Sequence, residues 1–220
     1  MRRRDCGAYF SALAFAAAFT SAGSGLANAS AAKSAPVLLI VGDSLSAEYG
    51  LARGHGWVAL LEQRLREQKL PHQVMNASIS GDTTAGGRAR LGALLQQHKP
   101  AVVVIELGGN DALRGLPLST TRENLTAMSQ AAKKAGAKVV MVGMQVPPNY
   151  GVSYGREFAS LFEQVAKAEK TALVPFLLKG VADRPDAMDW FQPDRIHPLA
   201  KAQPVMLDQV WPVLRPLLTR

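Results

Sequence analysis

Short runs of mostly apolar residues alternate with segments of helical periodicity along most of this chain. Five runs read as strands, and several are apolar at nearly every position, as expected when helices cover both faces of a parallel sheet. They lie at 37–41, 72–76, 101–107, 138–143 and 172–176. Alternating strands and helices are typical of β-α-β units. The pattern therefore predicts an α/β domain with three αβα layers around about five parallel strands.

The segments between the strands carry apolar residues at the three- and four-residue spacing of a buried helix face. These residues are Trp57, Leu60, Leu61 and Leu65 in the first helix, Leu91, Leu94 and Leu95 in the second, Leu125, Met128, Ala132 and Ala135 in the third, and Phe158, Leu161, Phe162 and Val165 in the fourth. Thr120 and Glu123 form a capping-box pattern, which predicts where the third helix begins. A last helix near 206–218 is expected to be interrupted or kinked at Pro212.

The first 29 residues have the pattern of a secretory signal peptide. Three arginines at 2–4 precede a short apolar run at 9–19, and Ala27-Asn28-Ala29 is a small-residue cleavage site. We therefore expect export to the periplasm or beyond the cell, with 30–220 as a single mature domain. The one cysteine, Cys6, would leave with the signal, so the mature chain would have no disulfide.

The charge pattern gives no sign of nucleic-acid binding. The formal charge is +8, and it falls to +6 on removal of the signal, which carries three arginines and one aspartate. The remaining charges are scattered along helical faces, without a block of like charges or a basic run interleaved with aromatic residues. We expect a monomer or weak oligomer that makes at most transient contact with membrane lipid.

Four polar motifs fall where predicted strands end. Gly42-Asp43-Ser44-Leu45-Ser46 follows the first strand, Ser80-Gly81-Asp82 the second, Gly108-Gly109-Asn110-Asp111 the third, and Asp194-Arg195-Ile196-His197-Pro198 lies after the fifth. Ligands of open parallel sheets bind outside the carboxyl ends of the strands. The sequence therefore predicts one site that draws on all four motifs.

The candidate chemistry of this site is acyl transfer by a serine. Ser44 needs a base, and a base such as His197 needs a carboxylate that fixes its tautomer. Residues three apart on a tight turn lie side by side, so Asp194 can serve His197. A serine after a strand can instead cap a helix, and a histidine can be structural. Asp43 and Asp111 could compete for the acidic role, although we assign them to hydrogen bonds that hold loops.

An acyl-transfer site also needs donors for the oxyanion of the tetrahedral intermediate. The candidates are the backbone N–H of Ser44, the backbone N–H of Gly81 and the side-chain amide of Asn110. Gly81 has no Cβ to keep a ligand away from its backbone, and the Asn110 amide is a neutral donor. In the alternative interpretation, the glycines serve tight turns and Asn110 caps a helix. The other histidines, His55, His72 and His98, have no such neighbours and are interpreted as surface or packing residues.

These motifs resemble the four sequence blocks of the SGNH (GDSL) hydrolase superfamily, in the same order. Longer stretches, at 76–83, 106–111 and 148–151, look like its bacterial periplasmic thioesterase I, lysophospholipase L1 and arylesterase branch. The resemblance covers essentially the whole chain after the signal. It implies a flavodoxin-like sheet order, a Ser44-His197-Asp194 triad, and an oxyanion hole of Ser44, Gly81 and Asn110.

The resemblance also implies a shallow cleft, with no metal and no organic cofactor. Small-molecule acyl esters, thioesters and lysolipids would be the substrates. Four apolar loop residues are candidates for lining an acyl groove: Leu113, Leu116, Val146 and Pro147. Their alternative interpretation is ordinary loop packing.

Two other functions stay open at this point. A carbohydrate or acetyl esterase could use the same three residues with a short, polar acyl pocket. A flavodoxin-like binding protein could cradle phosphate or flavin at the first loop. Asp43 argues against the second, because it would repel a phosphate at the end of the first strand.

Overall fold

A five-stranded parallel sheet forms the centre of the protein and carries helices on both faces. The computed structural model describes residues 35–218. The strands are β1 (Val37–Gly42), β2 (Gln73–Asn76), β3 (Val102–Glu106), β4 (Lys138–Val142) and β5 (Ala172–Val174). Their order, β2-β1-β3-β4-β5, is that of flavodoxin-like folds. The αβα architecture and the five strands predicted from the sequence are confirmed.

Six α-helices connect and cover the strands in the described part of the chain. They are α1 (Trp57–Glu67), α2 (Thr84–His98), α3 (Gly109–Leu113), α4 (Leu118–Lys134), α5 (Val152–Glu169) and α6 (Gln203–Leu214). Five of the six are predicted by apolar periodicity. The exception, α3, has only five residues, too few to show a period. Pro212 lies within α6, and a 3₁₀ turn at Arg215–Leu217 follows that helix.

The start and the inner face of α4 differ from the prediction. The helix begins at Leu118, so Thr120 lies inside it and does not cap it. The Pro117 carbonyl already accepts the N–H groups of Thr120 and Thr121, which closes the first turn too early for a Thr120 cap. At the other end, α4 ends at Lys134, and Ala135 is the exposed C-cap residue. Ala135 is therefore not part of the buried face of the helix, contrary to the prediction.

The core lies on both faces of the central strands. Leu38 to Val41 in β1 and Val103 to Ile105 in β3 are fully buried, which explains why these strands read as continuous apolar runs. Trp57, Phe158 and Phe162 are the largest side chains buried from the helices. Each such side chain stabilises the fold by about 1.5–3 kcal/mol relative to an exposed position.

The register of the three strands that precede the motifs of Ser44, Gly81 and Asn110 aligns the carboxyl ends of these strands. Gly42 pairs with Glu106 across β1 and β3, and Ile40 pairs with Asn76 across β1 and β2. The chain segments that follow β1, β2 and β3 therefore leave the sheet side by side. The fold brings the loops that carry Ser44, Gly81 and Asn110 to a single edge.

The expected signal peptide, 1–29, lies outside the described residues, and its boundary stays a prediction. Among residues 35–218, no helix is both long enough and apolar enough to cross a membrane.

Two glycines of α2 allow a test of how closely this helix packs on the sheet. A Cβ on buried Gly87 would lie 2.2 Å from Leu107 Cδ1, whereas a Cβ on exposed Gly92 would meet nothing within 4 Å. We expect Gly87→Ala to destabilise the protein by about 1–3 kcal/mol through overpacking. Gly92→Ala should stabilise it by about 0.5–1 kcal/mol, because alanine favours helix. Urea unfolding of both variants measures the difference, and equal effects would contradict this packing.

Candidate active site

Ser44, His197 and Asp194 form a continuous row of hydrogen bonds. Ser44 Oγ lies 2.8 Å from His197 Nε2, and His197 Nδ1 lies 2.7 Å from Asp194 Oδ2. No helix begins at Ser44, because residues 44–50 form turns, so this serine has no capping role. With Nδ1–H donated to the carboxylate, Nε2 is left to accept the Ser44 proton. The arrangement can therefore generate a serine alkoxide at the moment of attack.

The turn at 194–197 holds its own carboxylate in place. Asp194 Oδ1 accepts the backbone N–H groups of Ile196 at 2.9 Å and His197 at 3.0 Å, and Arg195 adopts a positive φ of 60°. Partial burial works to raise the pKa of Asp194. The two N–H groups and the His197 side chain outweigh it and hold that pKa at about 2. Asp194 is therefore ionised at any pH near neutrality.

Gly81 lies in a tight turn after β2. The Asp82 N–H donates to the Ile79 carbonyl at 3.0 Å, and Gly81 has a φ of +80°, as the third residue of a type II turn requires. Arg114 donates to the Gly81 carbonyl at 2.7 Å. The turn interpretation and the donor interpretation of Gly81 are thus compatible, since the turn fixes the direction of its N–H.

The Asn110 amide is already hydrogen-bonded to two partners. Its Nδ2 donates to Asp43 Oδ2 at 3.0 Å and to the Asp82 carbonyl at 2.9 Å. Asn110 lies in the first turn of α3, which begins after Gly108 with a φ of 124°. These bonds orient the amide and tie the loops after β1, β2 and β3 to one another. An oxyanion would therefore have to take over or share one of these two amide hydrogens.

Arg90, on α2, joins the loop after β2 to the end of β1 and was not predicted from the sequence. Its Nε donates to Asp82 Oδ2 at 2.9 Å, and its guanidinium also donates to the carbonyls of Ala77 and Gly42. Arg88, two residues earlier, instead binds Asn124. Nothing in the local sequence distinguishes these two arginines. Only the tertiary fold shows that Arg90 fixes the turn that contains Gly81.

Two buried carboxyl groups lie beneath the Ser44 loop. Glu106 is fully buried, and its Oε2 accepts the Ser46 hydroxyl at 2.7 Å and the Asp43 N–H at 3.3 Å. Burial, with the nearby Asp43 carboxylate, raises the pKa of Glu106 well above its usual range. Burial also raises the pKa of Asp43 to about 6, against hydrogen bonds from Leu45 and Asn110 and the attraction of His197. The Ser44 loop is thus supported by two carboxyl groups whose pKa values are raised by burial.

Neither of the other candidate acids bonds to the histidine. Asp43 Oδ1 accepts the Leu45 N–H at 3.0 Å, which leaves its carboxylate shared between Leu45 and Asn110. Asp111 accepts the Thr84 N–H at 2.9 Å and the hydroxyls of Thr84 and Thr121. Asp43 and Asp111 therefore make hydrogen bonds that hold loops, in agreement with the sequence-based assignment.

The four candidate groove residues differ in exposure. Leu113 is 43% exposed and Pro147 is exposed, whereas Leu116 and Val146 are half-buried. Val146 packs against the core, near the start of α5. All four lie on loops or short elements after β3 and β4, at the same edge of the sheet as Ser44.

None of the remaining histidines is hydrogen-bonded to Ser44, His197 or Asp194. His55 is exposed, His98 is half-buried, and His72 is buried, with its pKa lowered by burial and by Lys138. Across residues 35–218, no cluster of three or more histidine, cysteine, aspartate or glutamate side chains has the arrangement of a metal site.

Replacement of Glu106 tests the buried carboxyl pair. A carboxyl with a raised pKa binds its proton more tightly in the folded state, so its contribution to stability is present at low pH and is lost as pH rises through the folded pKa. We expect Glu106→Gln, which cannot ionise, to match the parent at pH 5 and to exceed its free energy of unfolding at pH 9. Urea titrations at both pH values measure this.

Glu106→Ala is the matched control for that experiment. It leaves the Ser46 hydroxyl and the Asp43 N–H without their acceptor, which should cost about 1–3 kcal/mol at both pH values. If the parent and Glu106→Gln lost stability in parallel between pH 5 and pH 9, the raised pKa of Glu106 would be refuted.

Similar proteins are found among both curated sequences and solved structures. The chain is 54% identical over 184 residues to esterase TesA of Pseudomonas aeruginosa, which covers 84% of this chain and 90% of that protein. It is 41% identical over 186 residues to thioesterase 1/protease 1/lysophospholipase L1 of Escherichia coli, with 84% of this chain and 86% of that protein covered. The crystal structure of a protein named TesA superimposes with a TM-score of 0.79 at 54% identity, over 83% of this chain and 99% of that chain.

A further solved relative is the psychrotrophic esterase EstA from a Pseudoalteromonas species. It has a TM-score of 0.77 and 38% identity, over 84% of this chain and 99% of that chain. Residues 40–203 also match the model of the GDSL-like Lipase/Acylhydrolase family. That range contains Ser44, Gly81, Asn110, Asp194 and His197. The family model and these relatives show that this chain belongs to the GDSL-like lipase/acylhydrolase family, the SGNH hydrolases.

Proposed function

We propose that this protein is a serine esterase that hydrolyses carboxylic esters and thioesters through an acyl-enzyme on Ser44. The observation that carries the proposal is the row of hydrogen bonds from Ser44 through His197 to Asp194, at 2.8 and 2.7 Å. Membership of a hydrolase family, with relatives named esterase, arylesterase and thioesterase, supports the same chemistry.

The reaction has two halves that use the same residues. Ser44 Oγ attacks the acyl carbon while His197 Nε2 takes its proton, and the collapse of the tetrahedral intermediate releases the alcohol or thiol, which receives that proton. A water molecule then attacks the acyl-enzyme, with His197 again as base, and Ser44 regains its proton as the acid leaves. Asp194 stays ionised throughout because of its low pKa.

The oxyanion formed in each half would be bound by the Ser44 N–H, the Gly81 N–H and the Asn110 amide. The type II turn and its anchors on Arg90 and Arg114 support this role for Gly81, because they fix the peptide before the substrate arrives. Asn110 would donate to the oxyanion by weakening its bond to Asp43 or to the Asp82 carbonyl.

The acyl chain is assigned to the loops after β3 and β4. Exposed Leu113 and Pro147, with half-buried Leu116 and Val146, offer apolar surface at the edge where Ser44 lies. Ligand sites are typically lined by apolar side chains with a few polar groups. This arrangement suits acyl chains that lie along the surface of the protein.

The proposed location favours esters derived from lipids. We assign 1–29 to a signal peptide that is removed on export, so that 30–220 is the mature enzyme. Cytosolic acyl-CoA would then be out of reach, whereas lysophospholipids and other lipid esters would be available. Contact with membrane lipid would be transient, and the enzyme would act as a monomer or weak oligomer.

Hydrolysis of p-nitrophenyl esters with acyl chains of two to twelve carbons tests the proposal. We expect the mature protein to cleave them and Ser44→Ala to lose about 10⁴-fold or more in kcat, because the nucleophile is gone. Ser78→Ala is the matched control, since the Ser78 hydroxyl at the same sheet edge makes no hydrogen bond within the described chain. Equal rates for parent and Ser44→Ala would contradict the serine mechanism, and a steep optimum at acetyl would identify an acetyl esterase.

A further inference from the structure

A half-exposed aromatic ring lies against the histidine of the hydrogen-bonded row. The ring centroids of Tyr49 and His197 are 4.3 Å apart, with 38° between their planes. Tyr49 is 50% exposed, although large aromatic side chains usually bury most of their surface. The ring therefore offers apolar surface to solvent directly beside the proposed general base.

The backbone of Tyr49 is fixed to both ends of that row. Its N–H donates to the Ser44 carbonyl at 3.3 Å, and its carbonyl accepts Gln192 Nε2 at 2.8 Å. The Gln192 backbone N–H in turn donates to the His197 carbonyl at 2.7 Å. Gln192 thereby holds the Tyr49 segment and the His197 turn together.

The loop around Tyr49 is also held from its own side. Gly50 has a φ of +69°, and a Cβ there would lie 2.0 Å from the Gln192 amide oxygen, so Gln192 can reach Tyr49 only past a glycine. Glu48 accepts the N–H groups of Gly54 at 3.1 Å and Gly56 at 2.7 Å. The ring is thus presented by an ordered loop, and aromatic contacts made by a fixed ring cost little ordering entropy.

The chemistry of acyl transfer decides which part of a substrate meets this ring. His197 Nε2 must pass its proton to the departing oxygen or sulfur, so the leaving group has to lie within hydrogen-bond reach of the imidazole. The oxyanion points instead towards the Gly81 and Asn110 donors. A substituent on the leaving group therefore lies beside the imidazole, against which the Tyr49 ring packs.

We infer that Tyr49 is a specificity-determining residue that stacks on the leaving group and favours aryl esters over alkyl esters. This inference rests on the proposed esterase function and adds the leaving-group class that the same site prefers. Offset stacking of two rings contributes beyond the burial of their area. The preference would be set by Tyr49 on the leaving-group side, independently of the acyl groove.

The test compares two butyrate esters whose leaving groups have closely matched pKa values. Phenyl butyrate is the aryl ester, and hexafluoroisopropyl butyrate is the alkyl ester. Matching removes the difference in intrinsic reactivity, so the ratio of their kcat/KM values reports contacts with the leaving group. Tyr49→Leu removes the ring and keeps apolar bulk, whereas Tyr49→Phe keeps the ring. Tyr150→Leu is the matched control, because the Tyr150 ring stacks on Tyr154 and not on His197.

We expect Tyr49→Leu to lower kcat/KM for the phenyl ester by about two- to tenfold, with the alkyl ester changed by less than the phenyl ester. Tyr49→Phe and Tyr150→Leu should keep the parental ratio. If Tyr49→Leu lowered both esters equally, or shifted the pH profile of both, the ring would only position His197 and the inference would be overturned.

An unchanged ratio in Tyr49→Leu would overturn it as well. Failure of the underlying esterase function gives a separate result, because the parent protein would then hydrolyse neither butyrate faster than Ser44→Ala does.

Discussion

The parallel pairing of β1 with β3 places Gly42 opposite Glu106, and the geometry of the site depends on this contact. A Cβ at Gly42 would lie 2.8 Å from both Glu106 Oε2 and Ser46 Oγ. The absence of a side chain therefore lets the Ser44 loop bond directly to the buried carboxyl at the end of β3. From there, Asp43 reaches Asn110, and the loops after the three neighbouring strands become one hydrogen-bonded unit.

Much of this arrangement could be predicted from the sequence. Buried parallel strands have a strong apolar signal, and the carboxyl ends of such strands share one edge, so Ser44, Gly81 and Asn110 were expected together. The short Asp-x-x-His spacing also fixed the local geometry of Asp194 and His197, because a tight turn leaves few conformations. These predictions rest on local patterns and on one topological rule.

The supporting residues could not be predicted, because their roles exist only in the tertiary structure. Arg90 resembles any arginine on a helix surface, yet it binds the loop after β2 at two points and the last residue of β1. Glu106 ends an apolar strand, and only the structure shows that it is fully buried opposite Gly42. Tyr49 lies 148 residues from His197 in the chain, and Gln192 joins their segments. The predicted start of α4 was wrong because the Pro117 carbonyl closes the first turn of the helix before Thr120.

The central claim is that this hydrogen-bonded unit makes Ser44 the nucleophile, and covalent labelling tests it most directly. A phosphonate ester with a fluoride leaving group forms a stable adduct with an activated serine and resembles the tetrahedral intermediate. Intact-mass and peptide analysis should show one adduct, on Ser44, that does not form in His197→Ala. An unlabelled protein, or an adduct on another residue, would contradict the account.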